Sequence, residues 1–287
     1  MSVTTQNLPS SANQQQRKVI NDVVASAASD PRFLGVSLSG SGAEDNLDDY
    51  SDLDFILAIH PDHFDAVMQE RTQFAEQIGT LLTSFTGEHV GESRLLICLF
   101  ALPQLLHVDL KFVALPDVSE RVDTPVVLWE RNDKQLSQFY QNDAHYPVPT
   151  LQWFEDRFWV WLHYGATKLV RGEHLECHAL IGFVSETVIG PLAKVNSGFE
   201  ANGLRRLEAL VPNVAATLTT SLCFSDASSL GEALRTIAAL YLQLRNNHTD
   251  ISTLTCRNQA QEAAMQFTEV AIKDAIAQET RRSPVVK

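Results

Sequence analysis

The run Leu38 to Leu57, LSGSGAEDNLDDYSDLDFIL, places a Gly-Ser turn after one apolar segment and a ten-residue loop with four acids before another. Phe33 to Leu38 reads as a short buried strand leading into the turn, and Asp52 to Ile59 as a second strand stopped by Pro61. Alternate side chains of a strand share a face, so Asp52 and Asp54 point one way while Leu53 and Phe55 point into a core. Two carboxylates held together in this way repel each other unless a cation lies between them. Mg²⁺ suits the position, because it takes hard oxygen ligands and completes its shell with water and phosphate.

The turn before the acids complements them. Gly40 lets a ligand approach the backbone closely, and Ser41 adds a hydroxyl donor where a short helix would begin, an arrangement that suits terminal phosphates. Asp-x-Asp alone is common in solvated loops. Here the apolar frame of Leu53, Phe55, Ile56 and Leu57 makes the segment a strand. A third acid, Asp109, lies in LLHVDLKFVAL, where an unpaired carboxylate would be costly to bury, and sheet pairing would bring it to Asp52 and Asp54. Lys111 shares the face of Asp109 and reads equally as a phosphate contact or as an ion-pair partner of the acids. Arg94 reads as a strand-end charge, with a phosphate contact as the alternative. No Gly-Lys-Ser/Thr string and no G-x-G-x-x-G string is present, so neither a P-loop nor a dinucleotide fold is indicated.

Around this motif the chain divides in two. Residues 1–16 are polar and Gln/Ser-rich, and are expected to be a disordered tail. Arg17 to Ala28 has helical spacing, Phe64 to Phe85 reads as a long helix, Leu95–Leu102 and Leu106–Leu115 as strands joined through Pro103, and Val126 to Trp129 as one more strand. NDKQLSQFYQNDAHY, bracketed by prolines, reads as a connection. Beyond it the pattern is helical over Leu151–Val170, Ala179–Val195, Leu204–Thr219, Leu230–Asn246 and Arg257–Gln278. The fold expected is α+β: a mixed sheet with helices over residues 17–146, followed by a C-terminal α-helical bundle over 147–287.

Net charge is −13, and residues 1–150 carry 9 basic and 21 acidic side chains against 13 and 14 in residues 151–287. The acidity therefore lies with the Asp pair, where it disfavours nucleic acid and favours cations, whether metal ions or a cationic small molecule. Solubility alone is the simpler reason for such an excess. Four cysteines, Cys98, Cys177, Cys223 and Cys256, show no Cys-x-x-Cys spacing and read as reduced and structural. With no signal-peptide pattern and no unbroken run of about 18 apolar residues, the expected location is cytoplasmic, away from membranes.

Gly40, Ser41, ten residues, Asp52, Leu53, Asp54 and a distant strand Asp109 together resemble the nucleotidyltransferase superfamily with the DNA polymerase beta fold. The resemblance is nearest to its aminoglycoside and lincosamide adenylyltransferases. It covers residues 17–115 by motif order and extends more weakly to HYGATKLVRGEHLECHAL in the helical half. Gly42 departs from the pattern, which often has Arg there. The resemblance implies that Asp52, Asp54 and Asp109 hold two Mg²⁺ ions and that Asp109 takes the acceptor's proton, with another carboxylate as base in some relatives. Gly40, Ser41, Lys111 and Lys168 would contact the nucleotide, ATP or another triphosphate.

The acceptor implied is a hydroxylated, cationic antibiotic-like molecule, which makes antibiotic resistance the expected role. Glu155, Asp156 and Glu173, and the loop acids Glu44, Asp45, Asp48 and Asp49, are candidate contacts for its ammonium groups. Transfer to a protein or tRNA, and a catalytically inactive nucleotide-binding interaction module, are the alternatives. A homodimer is compatible with all three. The aromatic-rich segment WFEDRFWVWLHYG suits core packing, and its Arg157 and His163 also match an Arg-x₅-His spacing found in helical ribonuclease toxins.

Overall fold

The computed structural model describes residues 4–102, 104–132, 135–144, 146–220 and 226–282. The chain forms two compact units, Met1–Tyr146 and Pro147–Lys287. In the first, α1 (Gln14–Ser29) precedes β1 (Phe33–Leu38), the one-turn helix α2 (Gly40–Ala43), β2 (Leu53–Ile59), α3 (Phe64–Glu76), β3 (Leu81–Gly87), β4 (Glu92–Leu102), β5 (Gln104–Ala114) and β6 (Val126–Glu130). The strands make one mixed sheet in the order β3-β4-β5-β2-β1-β6, in which β2 and β5 run parallel and all other pairs are antiparallel.

Strand alternation divides the sheet's two faces. Leu53, Phe55 and Leu57 of β2 join Val108, Leu110 and Phe112 of β5 in a core with Val19, Ile20, Val23 and Val24 of α1. The opposite face carries a smaller cluster, Leu34, Ala58, Val113, Leu115, Val118 and Leu136. It is on this second face that Asp54, Asp109 and Lys111 stand.

Two readings of the first unit change. The helix expected to run to Phe85 ends at Glu76, and LLTSFTG after Gly79 forms the edge strand β3 against β4. Its backbone pairs with that of β4, and its threonines and Phe85 suit a strand, a partner that helical spacing alone does not reveal. The tail is also ordered from residue 4 into α1. Asn13 accepts from Gln16 N–H while the Gln16 side chain accepts from Asn13 N–H, a reciprocal cap. Gln16, 1% exposed, then donates to Asp48 O (2.8 Å) and Ser51 O (3.3 Å), fastening the loop that leads to Asp52. Residues 135–140 are part of the first unit: Glu130 accepts from Leu136 N–H (2.7 Å), and Leu136 fills the space that a side chain at Gly35 would need.

In the second unit, α4 (Leu151–Val170) packs against α5 (His174–Val184), α9 (Ala227–Asn246) and α10 (Asn258–Arg282). A π-helical segment, Ser185–Ile189, links α5 to α6 (Gly190–Asn196), just before Pro191, whose ring cannot donate to the helix ladder. Pro212 likewise separates α7 (Leu207–Leu210) from α8 (Pro212–Thr220), where one helix is expected. The stretch His174–Asn196 is long and apolar enough to cross a membrane, but its Cys177, Ile181, Val184, Val188, Ile189 and Leu192 are buried in the helical core. Cys98 and Cys177 are buried, and burial pushes each thiol up to about 12. Cys256 is exposed, contrary to the structural role expected of it, and Cys223 lies outside the described residues.

Glu155 is the polar centre of this unit. Fully buried, it accepts from Tyr241 (2.6 Å), Trp159 (3.2 Å), Arg245 (3.2 Å) and Arg257 N–H (2.8 Å). Burial alone would raise its carboxyl, but those donors outweigh burial and hold it below the ordinary value of 4.5. A depressed carboxylate stabilises the fold above its unfolded value, and the contribution is lost as pH falls through the folded one. We expect Glu155→Ala to cost about 3–5 kcal/mol in urea unfolding, because it strands Arg245. Glu155→Gln should flatten the fall in stability below about pH 4.5.

Candidate active site

The parallel register of β2 and β5 sets Leu53 beside Val108 and Asp54 beside Asp109, so two carboxylates face each other across adjacent strands. Asp52 sits one residue before β2, not within it. Between Asp52 and Asp109 stands a residue that the sequence reading passed over. His107 Nε2 lies 2.8 Å from Asp109 Oδ1, and its Nδ1 lies 3.9 Å from Asp52 Oδ2. The signal was available, since His107, Asp109 and Lys111 alternate on one strand face.

Asp109 is largely buried. Burial pushes its carboxyl above the ordinary carboxylate value, attraction to His107 draws it partway back, and Asp52 adds to the rise. Although Nε2 is close, it is not aligned as a hydrogen-bond donor, and Asp109 Oδ1 accepts no hydrogen bond among the described residues. A buried carboxylate oxygen without a donor suits a cation. Among the described residues no three His, Cys, Asp or Glu side chains already converge around an ion position. The fit therefore rests on Asp54 and Asp109 as oxygen ligands with substrate and water completing the shell, the usual manner of Mg²⁺.

The Gly-Ser turn touches the same group. Gly40 has φ +56°, and a Cβ there would stand 2.7 Å from Asp54 Oδ2, so glycine is required both for the backbone and for the carboxylate's place. The Gly40 N–H donates to Asp123 Oδ2 at 3.0 Å, so this amide already holds an anionic oxygen. Ser41 lies in the following helical turn. At Gly42 a Cβ would stand 2.3 Å from Leu38 Cδ2, which leaves no room for a longer side chain in the present packing.

A cavity of about 210 Å³ opens beside the acids, lined among others by Asp54, Asp109, Glu92, Arg94, Lys111 and Arg121. Lys111 pairs with Glu92 at 2.9 Å, and Arg94 pairs with it at 2.7 Å. Arg94 chiefly, with Lys111, holds the Glu92 carboxyl down to about 2, so it stays ionised. Arg121 donates to the backbone carbonyls of Tyr140 and Asn142, tying one cavity wall to the turn at 137–140.

The remaining candidates are engaged elsewhere. Lys168 belongs to the second unit, where Glu173 (2.6 Å) and Glu176 (2.5 Å) hold its ammonium and raise its value. Glu155 is the buried hub described above, and Asp156 pairs with Arg257 (2.7 Å). Arg157 lies over Trp153, while His163 packs on Phe267. Asp45 accepts from Ser10 (2.5 Å) and Ser11 N–H (2.8 Å), which hold its carboxyl down to about 2. Asp48 accepts from Tyr50 N–H, and Asp49 from Asn13. These three acids thus fasten their own loop.

No protein-family model matches the chain, and no curated protein matches it. Several solved structures are similar to it, two of them as follows. One is an aminoglycoside 6-adenyltransferase from Bacillus subtilis, 16% identical with a TM-score of 0.40, covering 91% of this chain and 98% of that one. The other is a nucleotidyltransferase-like protein from Exiguobacterium sibiricum 255-15, 13% identical with a TM-score of 0.35, covering 80% of this chain and 76% of that one.

Gly40→Ala should destabilise the protein by about 1–3 kcal/mol from backbone strain and also displace Asp54. Gly91→Ala, at φ +75° with nothing within 4 Å of the added Cβ, carries the strain without the clash. Urea unfolding should show a larger loss for Gly40→Ala than for Gly91→Ala, the difference reporting the contact with Asp54.

Proposed function

We propose that the first unit is a nucleotidyltransferase that moves AMP from ATP to a hydroxyl group of a cationic, aminoglycoside- or lincosamide-like small molecule. The observation that carries this reading is the pairing of Asp54 with Asp109 beside an amide, Gly40 N–H, that already binds an anionic oxygen. Carboxylates for a cation and a backbone donor for a phosphate are what a triphosphate site needs. The acidity of residues 1–150 favours a cationic acceptor over nucleic acid.

A divalent ion held by Asp54 and Asp109, with Asp52 at hand, would supply charge neutralisation on the triphosphate and on the pyrophosphate that leaves. The protein's own part is to place and deprotonate the acceptor. Asp109, whose affinity for a proton is raised by burial, takes the hydroxyl proton at a carboxylate oxygen. The acceptor oxygen then bonds to the α-phosphorus, and the bond to pyrophosphate breaks. Gly40 N–H and Ser41 hold phosphate oxygens once Asp123 has given up the amide. Lys111 and Arg94, already lining the cavity, add positive charge near the phosphates.

Incubation with labelled ATP, Mg²⁺ and a panel of aminoglycosides and lincosamides should yield labelled antibiotic and pyrophosphate. Label on protein or tRNA would redirect the reading to those acceptors, and ATP binding without turnover would leave an interaction module. Asp54→Asn and Asp109→Asn should each lower kcat/KM by about a hundredfold or more, and full activity in either variant contradicts the assignment. Asp123→Ala, which frees the Gly40 amide, should tighten ATP binding by up to about tenfold, corresponding to one hydrogen bond no longer displaced.

A further inference from the structure

We infer that Arg121 is the cation that holds the triphosphate, ahead of Lys111 and Arg94. The inference rests on the reading of the first unit as a nucleotidyltransferase, and it separates the charges already paired in the cavity from one that is not.

Arg94, Lys111 and Arg121 are the cations that line the cavity beside Asp54 and Asp109. The first two converge on a single carboxylate. Glu92 Oε2 lies 2.7 Å from Arg94 Nη2 and 2.9 Å from Lys111 Nζ, so one anion draws on both charges. Arg121 forms no ion pair among the described residues. Its guanidinium donates instead to the backbone carbonyls of Ser119 (3.5 Å), Phe139 (3.5 Å), Tyr140 (3.2 Å) and Asn142. Carbonyl dipoles hold a guanidinium in place but leave its net charge uncompensated. Its Nε–H is buried and has no acceptor among the described residues. An arriving anionic oxygen would offset the cost of that unmade hydrogen bond.

The group is also held in position before any ligand arrives. Its guanidinium carbon lies 5.3 Å from the centre of the Tyr140 ring. The Tyr140 hydroxyl is hydrogen-bonded at 3.0 Å to Ser37, which is fully buried in β1. Two residues beyond Arg121, Asp123 accepts from the Gly40 N–H, so the segment that carries the arginine also touches the Gly-Ser turn. A planar fork with an unused N–H, anchored in the wall of a cavity beside paired carboxylates, suits phosphate oxygens, which a guanidinium can take two at a time. Lys111 and Arg94 would have to share their charge with Glu92 to do the same.

The test is calorimetric titration of the full chain, in Mg²⁺, with ATP and with inorganic tripolyphosphate, which carries the phosphates without the nucleoside. Arg121→Gln should weaken both ligands by at least about tenfold, with an unchanged melting curve. Lys111→Gln, which removes a charge already paired, should weaken them by no more than about threefold. Because Arg121 also ties down the turn at 137–140, a second measurement uses the wild-type protein with nitrogen-15-labelled arginine. The Nε–H signal that is missing from Arg121→Lys should shift when tripolyphosphate is added. A signal that does not move, affinities unaltered in Arg121→Gln, or an equal loss in Lys111→Gln overturns the inference and leaves the proposed function standing. Absence of binding of either ligand to the wild-type chain overturns both.

Discussion

The parallel pairing of β2 with β5 is the constraint on which the first unit depends. It places Asp54 opposite Asp109, two like charges on neighbouring strands, which no electrostatic preference would choose. What holds them there is the other face of the same strands. Leu53, Phe55, Leu57, Val108, Leu110 and Phe112 are at most 1% exposed, and a slip of either strand by one residue would send its three apolar residues outward and its acid into the core. Burial of apolar surface on one face thus enforces a charge arrangement on the other.

The surroundings partly offset that repulsion. His107 lies against Asp109 and within 3.9 Å of Asp52, and Lys111 with Arg94 surrounds Glu92, so these carboxylates each have a close cationic or ionisable neighbour. Burial nevertheless leaves Asp109 with a raised proton affinity. Asp123 places a carboxylate of the chain itself on the Gly40 amide. Both features describe a site whose charges are balanced only in part by the protein.

Strand alternation made much of this legible. Phe33–Leu38 appears as read, β2 begins one residue later than expected, and Asp109 falls on the strand face anticipated for it. His107 followed from the same alternation and was overlooked because a lone histidine carries no spacing signal of its own. The loop acids were harder. Asp45, Asp48 and Asp49 look like a free docking surface for a cation, yet Ser10, Ser11 and Asn13 use Asp45 and Asp49, and Gln16 fastens the loop backbone. Those partners lie more than thirty positions away, and hydrogen bonds at that separation leave no periodic trace. Glu155 shows the same limit: on a helix it resembles any surface acid, until Tyr241 and Arg245 close over it.

By itself the sequence determined the α+β organisation, the turn at Gly40 and the strand face shared by Asp54 and Asp109, because periodicity, glycine conformation and the cost of burying charge all act over a few residues. Tertiary structure decided which groups meet: His107 with Asp109, Asp123 with Gly40, Lys111 with Glu92, Lys168 with two glutamates of its own unit. It also decided that Leu81–Gly87 is a strand. The physical reason is common to all of them. Desolvation and hydrogen-bond completion depend on which distant segments are brought into contact, and that information resides in the sheet register and the closed core, not in any local run of residues.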